Sequence, residues 1–371
     1  MRLAWGPPKK MHRTGCYFPI KLIFLKNLPK GGDIVKALIL FCSLLIGTVS
    51  YAADPGYRVI KKVQLGGIGG WDYLTVDGAA RRLYISRSTH VMVVDIDTDK
   101  VVGDIADTPG VHGIALAPEL NRGFTSNGKA NTATIFNLKT LKVFGQVKTG
   151  ENPDAILYDP ASRRVFTFNG RSKDTTAFDA ASGEVAGTIT LGGKPEYAAA
   201  DGRGKVYVNI EDTNEVVEID SRKLLLTKRY SLKPCEEPSG MGLDAERHRV
   251  YSGCHNKVMT VLDTEIGRVI ATVPIGEGVD GNGFDPEMGL AFSSNGDGTL
   301  TVVYESSPGK YDVLEIVATQ RGSRTMAIDP KTGNIYLPTA QFSPQKASTA
   351  EGSRPRPTMI KDSFTVLVVG K

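Results

Sequence analysis

One pattern recurs seven times along this chain and leaves few folds open to it. Segments beginning WDYLTVD at Trp71, HGIALAP at His112, PDAILYD at Pro153, PEYAAAD at Pro195, PSGMGLD at Pro238, VDGNGFD at Val279 and SRTMAID at Ser323 follow one another about every 41 to 44 residues. That period belongs to a four-stranded propeller blade. Each start is followed by a turn and a second strand-like run such as RVFTFN or KVYVNI, then by a third rich in β-branched residues such as VMVVDID or EVVEID. Six repeats add a fourth run; the seventh stops at Lys371 straight after FTVLVVGK. The missing piece stands at the other end of the chain. RVIKKVQLGG, Arg58 to Gly67, precedes the first repeat and has the fourth-strand pattern. The expectation is therefore an all-β, seven-bladed β-propeller over residues 53–371, closed by pairing Arg58–Leu65 with Phe364–Gly370. Ring closure removes sheet edges that would otherwise template aggregation.

The formal charge of +5 hints at an anionic partner until its location is read. Residues 1–52 hold eight of the 45 Lys and Arg but only Asp33 of the 40 acids, which leaves 37 against 39, or about −2, for the rest. Lys36 is followed by the apolar run ALILFCSLLIGTV from Ala37 to Val49 and then by Ser50-Tyr51-Ala52. This order reads as a secretory signal cleaved after Ala52, with no stable membrane anchor, and places the mature chain in the periplasm or outside the cell. Residues 1–34 are too long and irregular for the start of such a signal, so translation is expected to begin near Val35. Export leaves Cys235 and Cys254, which either form one disulfide or are buried as small hydrophobes.

The segments KVYVNIEDTNEVVEIDSRK (Lys205 to Lys223) and HRVYSGCHNKVMTVLDTEIGRVIATVPIGEG (His248 to Gly278) resemble the YVTN-type repeat of YncE-like periplasmic and surface-layer propeller proteins. The resemblance runs over residues 58–371. It implies the propeller fold and export, and says little about activity.

In a propeller the first strand of each blade lines the central channel. The repeat register then brings Asp72, His112, Asp154, Glu196, Ser239, Asp280 and Arg324 to one channel mouth. Six of the seven ionise, giving a negative opening suited to a cation or a polyhydroxylated ligand. Of these, Asp72, Asp154, Glu196 and Asp280 are candidate ligands for a divalent cation such as calcium. Loops joining second and third strands add Arg87, His90, Lys129, Arg171, His255 and Asp297 around the rim, and His90 could approach His112. The seventh repeat inserts Gln341 to Asp362 between its second and third strands, with Arg354 and Arg356 in an SRPRP stretch that fits a lid or partner arm.

No GxSxG elbow, P-loop, HExxH, CxxCH or Rossmann fingerprint follows the leader. The leading reading is an exported, monomeric, non-enzymatic binding module for a small molecule or an envelope protein. A metal-assisted hydrolase like the propeller lactonases is the alternative, with His112 moving protons. Nucleic-acid binding through Arg81, Arg82 and Arg87, or through Arg171 and Lys173, is the third and least favoured, because the exported part is not basic.

Overall fold

A computed structural model describes residues 56–343 and 358–371. The chain divides into two compact units, Met1–Ala53 and Asp54–Lys371. The first unit lies outside the described residues, and with it the leader, its cleavage site and the proposed start.

The second unit is a seven-bladed β-propeller. Seven four-stranded antiparallel sheets account for every strand, and no α-helix occurs among the described residues. The inner strands of blades one to seven are Leu74–Asp77, Val111–Ala117, Pro153–Asp159, Pro195–Ala200, Pro238–Asp244, Val279–Asp285 and Ala327–Ile328. Strand order within a blade follows the chain from inner to outer, except in the seventh. There the outer strand is Arg58–Gln64, laid antiparallel on the C-terminal strand Thr365–Gly370 with Arg58 opposite Gly370 and Gln64 opposite Thr365. A bulge at Ile60 interrupts this otherwise continuous pairing. The amides of Leu65 and Gly66 extend it by donating to the Phe364 carbonyl at 2.9 and 3.0 Å.

The repeated letters have local causes. Four inner strands end in Asp, and two more run straight into one at Asp201 and Asp329, because its carboxylate accepts the backbone N–H groups two to four residues on and so forms the turn: Asp77 from Ala79 and Ala80, Asp201 from Arg203 and Lys205, Asp285 from Glu287 and Met288. Blade two has Ala117-Pro118 there instead and turns through a short 3-10 segment, Pro118–Leu120. Asn131 and Asn214 hold positive φ in the hairpins after the second strands, a conformation Asn tolerates better than most residues.

Middle strands are packed on both sides, which explains their near-continuous β-branched and aromatic runs. Val93, Val217, Val261, Val302 and Leu367 are fully buried in the third strands, as are Phe166, Phe168 and Phe292 in the second. Outer strands face solvent and alternate accordingly, as in KVVGDI and RVIKKVQ. The inner strand of blade seven is only two residues long. Its next rungs toward the mouth would set Thr325 against Pro338, which has no N–H to donate.

Arg87 contributes most directly to closure. It is fully buried, and its guanidinium donates to the carbonyls of Gly66, Ile68, Gly69 and Gly70 at 3.0 to 3.3 Å while lying 3.7 Å over the Phe364 ring. The expected place for this side chain was the ligand rim. The structure turns it inward because four carbonyls of the glycine-rich loop have no other donor of matching reach.

Cys235 and Cys254 are bonded, with Cα atoms 5.5 Å apart, inside a cluster with Tyr207, Leu232 and Met241. The link ties the loop entering blade five to the end of that blade's second strand.

Deleting residues 58–64 should abolish cooperative unfolding of the whole propeller. A calorimetric transition matching the parent's would show that closure does not depend on this strand. Replacing both cysteines by Ser should cost about 3 kcal/mol, the scale for a loop of this size, read from denaturant midpoints.

Candidate functional site

Inner strands enter the mouth with their ladders out of step. In blades two to five the pairing register shifts between Val111 and Ile114, Pro153 and Ile156, Pro195 and Ala198, and Pro238 and Met241; in blade six it shifts between Val279 and Gly281. His112, Asp154, Glu196, Ser239 and Asp280 all sit within these irregularities, where a bulge can aim a side chain off the sheet. The backbone at the mouth is pinned from the neighbouring blade. Ser126 donates to the carbonyl of Asp154, Asn209 Nδ2 to that of Ser239 at 2.7 Å, and Ser294 to that of Arg324 at 2.5 Å.

The seven register positions do not form one uniform acidic ring. Asp72 Oδ2 lies 2.6 Å from His112 Nδ1, and Asp154 Oδ1 lies 3.7 Å from the same nitrogen. Asp280 accepts from Ser239 Oγ at 3.0 Å and pairs with Arg324 Nε at 3.2 Å. Glu196 Oε2 is 3.2 Å from the ammonium of Lys194, which also pairs with Glu211. The sequence reading omitted Lys194. Its place two residues before Glu196, in the loop entering blade four, is the signal that could have found it. Of the four carboxylates, Asp280 has Arg324 to itself, whereas Lys194 is divided between Glu196 and Glu211 and His112 between Asp72 and Asp154.

Protonation follows from this crowding. Burial pushes the Glu196 carboxyl up to about 8, helped by the charge of Asp154 and opposed by Lys194. Burial likewise raises Asp154 to about 6, with His112 pulling the other way and Asp72 and Asp280 adding to the rise. Burial alone would lower His112, but the hydrogen bond to Asp72 and the charges of Asp154, Asp72 and Glu196 outweigh it and raise the imidazole to about 9. Burial also raises Asp280, with Arg324 opposing. These groups share protons and titrate as a set.

The floor of the mouth is aromatic. Tyr73 and Tyr197, each directly after a mouth residue, reach from blades one and four and stack with centroids 5.4 Å apart and planes 28° apart. The Tyr73 hydroxyl donates to the Glu196 carbonyl at 3.4 Å. At this register position the other blades carry Gly113, Ala155, Gly240, Gly281 and Thr325, small enough to leave the axis to the two rings. Below the stack lies a cavity of about 350 Å³ lined by Leu74, Met241, Phe284, Met326 and Ile328.

For a metal ion the structure gathers Asp72, His112 and Asp154, each offering one ligand atom, all within 4.8 Å of one another. The other two calcium candidates, Glu196 and Asp280, lie outside this group among the described residues and approach Lys194 and Arg324. One nitrogen with two carboxylates suits zinc-like ions better than calcium.

The rim residues have separate fates. His90 contacts Asp104 at 3.6 Å and Thr89 at 3.2 Å rather than His112. His255 pairs with Glu237 at 2.8 Å. Asp297 is spent on its own loop and the loop entering blade six, accepting from the amides of Thr299 and Glu277. Arg171 is exposed, and Lys129 stands beside His112 in a rim cleft. The seventh-blade insertion is described only at its base, where Phe342 bridges to Met359 and its ring lies 6.1 Å from that of Trp71. Residues 344–357, with Arg354 and Arg356, lie outside the described residues.

Fold and site together define a β-propeller with a charged, aromatic-floored mouth. No protein-family model matches the chain, and no curated protein matches it by sequence. Among solved structures it is similar to the Kuenenia stuttgartiensis hydrazine synthase, with TM-score 0.66 and 16% identity over 73% of this chain and 92% of that one. It is also similar to U3-55K, with TM-score 0.69 and 9% identity over 84% of this chain and 99% of that one. Likeness at such identities establishes the propeller fold alone.

The raised carboxyls and the raised imidazole act in the same direction on stability. Each holds protons in the folded state that the unfolded chain gives up, Glu196 between its ordinary 4.5 and about 8, and His112 between 6.5 and about 9. The mouth's contribution should therefore fall as pH rises through those windows. Glu196→Gln should gain on the parent as pH rises from about 5 to about 8 in denaturant titrations. Parallel curves for the two proteins would refute the assignment.

Proposed function

We propose that this chain is an exported, monomeric, non-enzymatic binding module that holds a small cationic or polyhydroxylated ligand at the channel mouth. The observation that carries the reading is Asp154. Its side chain is 17% exposed, and the cation it approaches, His112 at 3.7 Å, is already held by Asp72 at 2.6 Å. A ligand cation arriving there meets a carboxylate without a partner of its own, above the two stacked tyrosines. Export is supported by the leader, by the disulfide and by the YVTN-type resemblance.

A metal-assisted reading draws on the Asp72, His112 and Asp154 grouping. His112 would have to give up its shared proton to ligate an ion, so metal affinity would rise with pH. Nucleic-acid binding is disfavoured by the fate of the cations proposed for it. Arg81 pairs with Asp97 and Asp329, Lys173 with Asp212, and Arg87 is buried.

Thermal-shift titrations of the full chain with Ca²⁺, Zn²⁺, Mn²⁺ and spermidine, each repeated on Asp154→Asn, distinguish these readings. Stabilisation by spermidine that is lost in the variant is expected. Stabilisation by Zn²⁺ alone, lost also in His112→Ala, would favour the metal site. No shift with any of the four would remove the cation reading.

A further inference from the structure

Beside the mouth, between the rims of blades one and two, lies a cleft of about 280 Å³ that shares Asp72 and His112 with it and is otherwise walled by Trp71, Ser88, Gly110, Val111, Lys129 and Asn152. Asp72 occupies His112 Nδ1 at 2.6 Å, which leaves Nε2 as the ring's remaining polar atom. That edge runs past Gly128, where a Cβ would stand 2.9 Å from Nε2 and 3.2 Å from Asn152 Oδ1. Glycine at this position therefore leaves room for both side chains. Lys129 comes from the hairpin after the second strand of blade two, its stem lying across Gly110, where a Cβ would meet Lys129 Cγ at 2.6 Å. Its ammonium makes no ion pair among the described residues. With Asp72 held at His112 Nδ1, Lys129 is the one lysine or arginine in the lining of the cleft and has no carboxylate of its own among the described residues.

Trp71 supplies the third element. At this register position the other blades place Val111, Pro153, Pro195, Pro238, Val279 and Ser323. Blade one instead presents a half-buried indole, braced by Phe364 at 5.3 Å and Phe342 at 6.1 Å between ring centroids. A braced aromatic wall opposite an unpaired ammonium and an imidazole of fixed orientation is a combination suited to a small organic acid.

We propose that this cleft binds a small carboxylate with a flat apolar body, its carboxylate between Lys129 Nζ and His112 Nε2 and its body against Trp71. The proposal goes beyond the cation reading of the mouth and uses the opposite ligand charge, so either can fail alone.

The chain has two tryptophans, Trp5 and Trp71, so Trp5→Phe in the full chain makes Trp71 the only indole emitter. Titration of that protein with benzoate, benzamide and benzamidine compares one shape in three charge states. A saturable change in emission with benzoate is expected, weaker by roughly tenfold or more with benzamide and in Lys129→Ala, where a charge-assisted contact is lost. Lys139→Ala, an exposed lysine away from the cleft, should bind as the parent does. No saturable response to benzoate, equal binding of benzamide, preference for benzamidine, or undiminished binding in Lys129→Ala would each overturn the proposal.

Discussion

Everything at the mouth depends on a pairing made far from it in sequence, the strand Arg58–Gln64 against Thr365–Gly370. Seven wedge-shaped sheets enclose an axis only if the seventh also meets the first, and this contact supplies the seventh blade's outer strand. The chain leaves that strand through the glycine-rich loop at 66–70, which Arg87 holds by four carbonyls, and arrives at once at Trp71 and Asp72. Phe364 lies under Arg87 on one side and against Trp71 on the other. The residues that shut the ring are thus the residues that brace the cleft.

Charge at the opening is organised by local compensation. A carboxylate drawn out of water needs a partner, and the blades supply them in part by sharing: His112 for Asp72 and Asp154, Lys194 for Glu196 and Glu211, Arg324 for Asp280. The excess is small and local, negative at Asp154 and positive at Lys129. Two ligand chemistries can therefore be served within one rim, because field at these short distances follows the nearest unpaired group more than the formal sum.

The ring and its closure were legible in the sequence because they rest on period and alternation, which a one-dimensional pattern records. The Asp at or just after the end of six inner strands and the Pro, Val or Ser at their entrances marked the register, and the same register named the side chains around the opening. It could not say which of them would touch. That depends on bulges, rotamers and the width of the channel, which let His112 reach Asp72 and turned His90 toward Asp104. Arg87 read as a rim cation because its loop is on the rim; only the unsatisfied carbonyls of the adjacent loop draw it inside. Lys194 and the tyrosines went unread because each lies one or two positions off the register column.

The stack of Tyr73 on Tyr197 sets two rings across the axis, between the charged mouth above and the cavity beneath it toward the opposite face. Attached to a surface by that lower face, the protein would keep its charged opening outward and free, and attached by the upper face it would be stoppered.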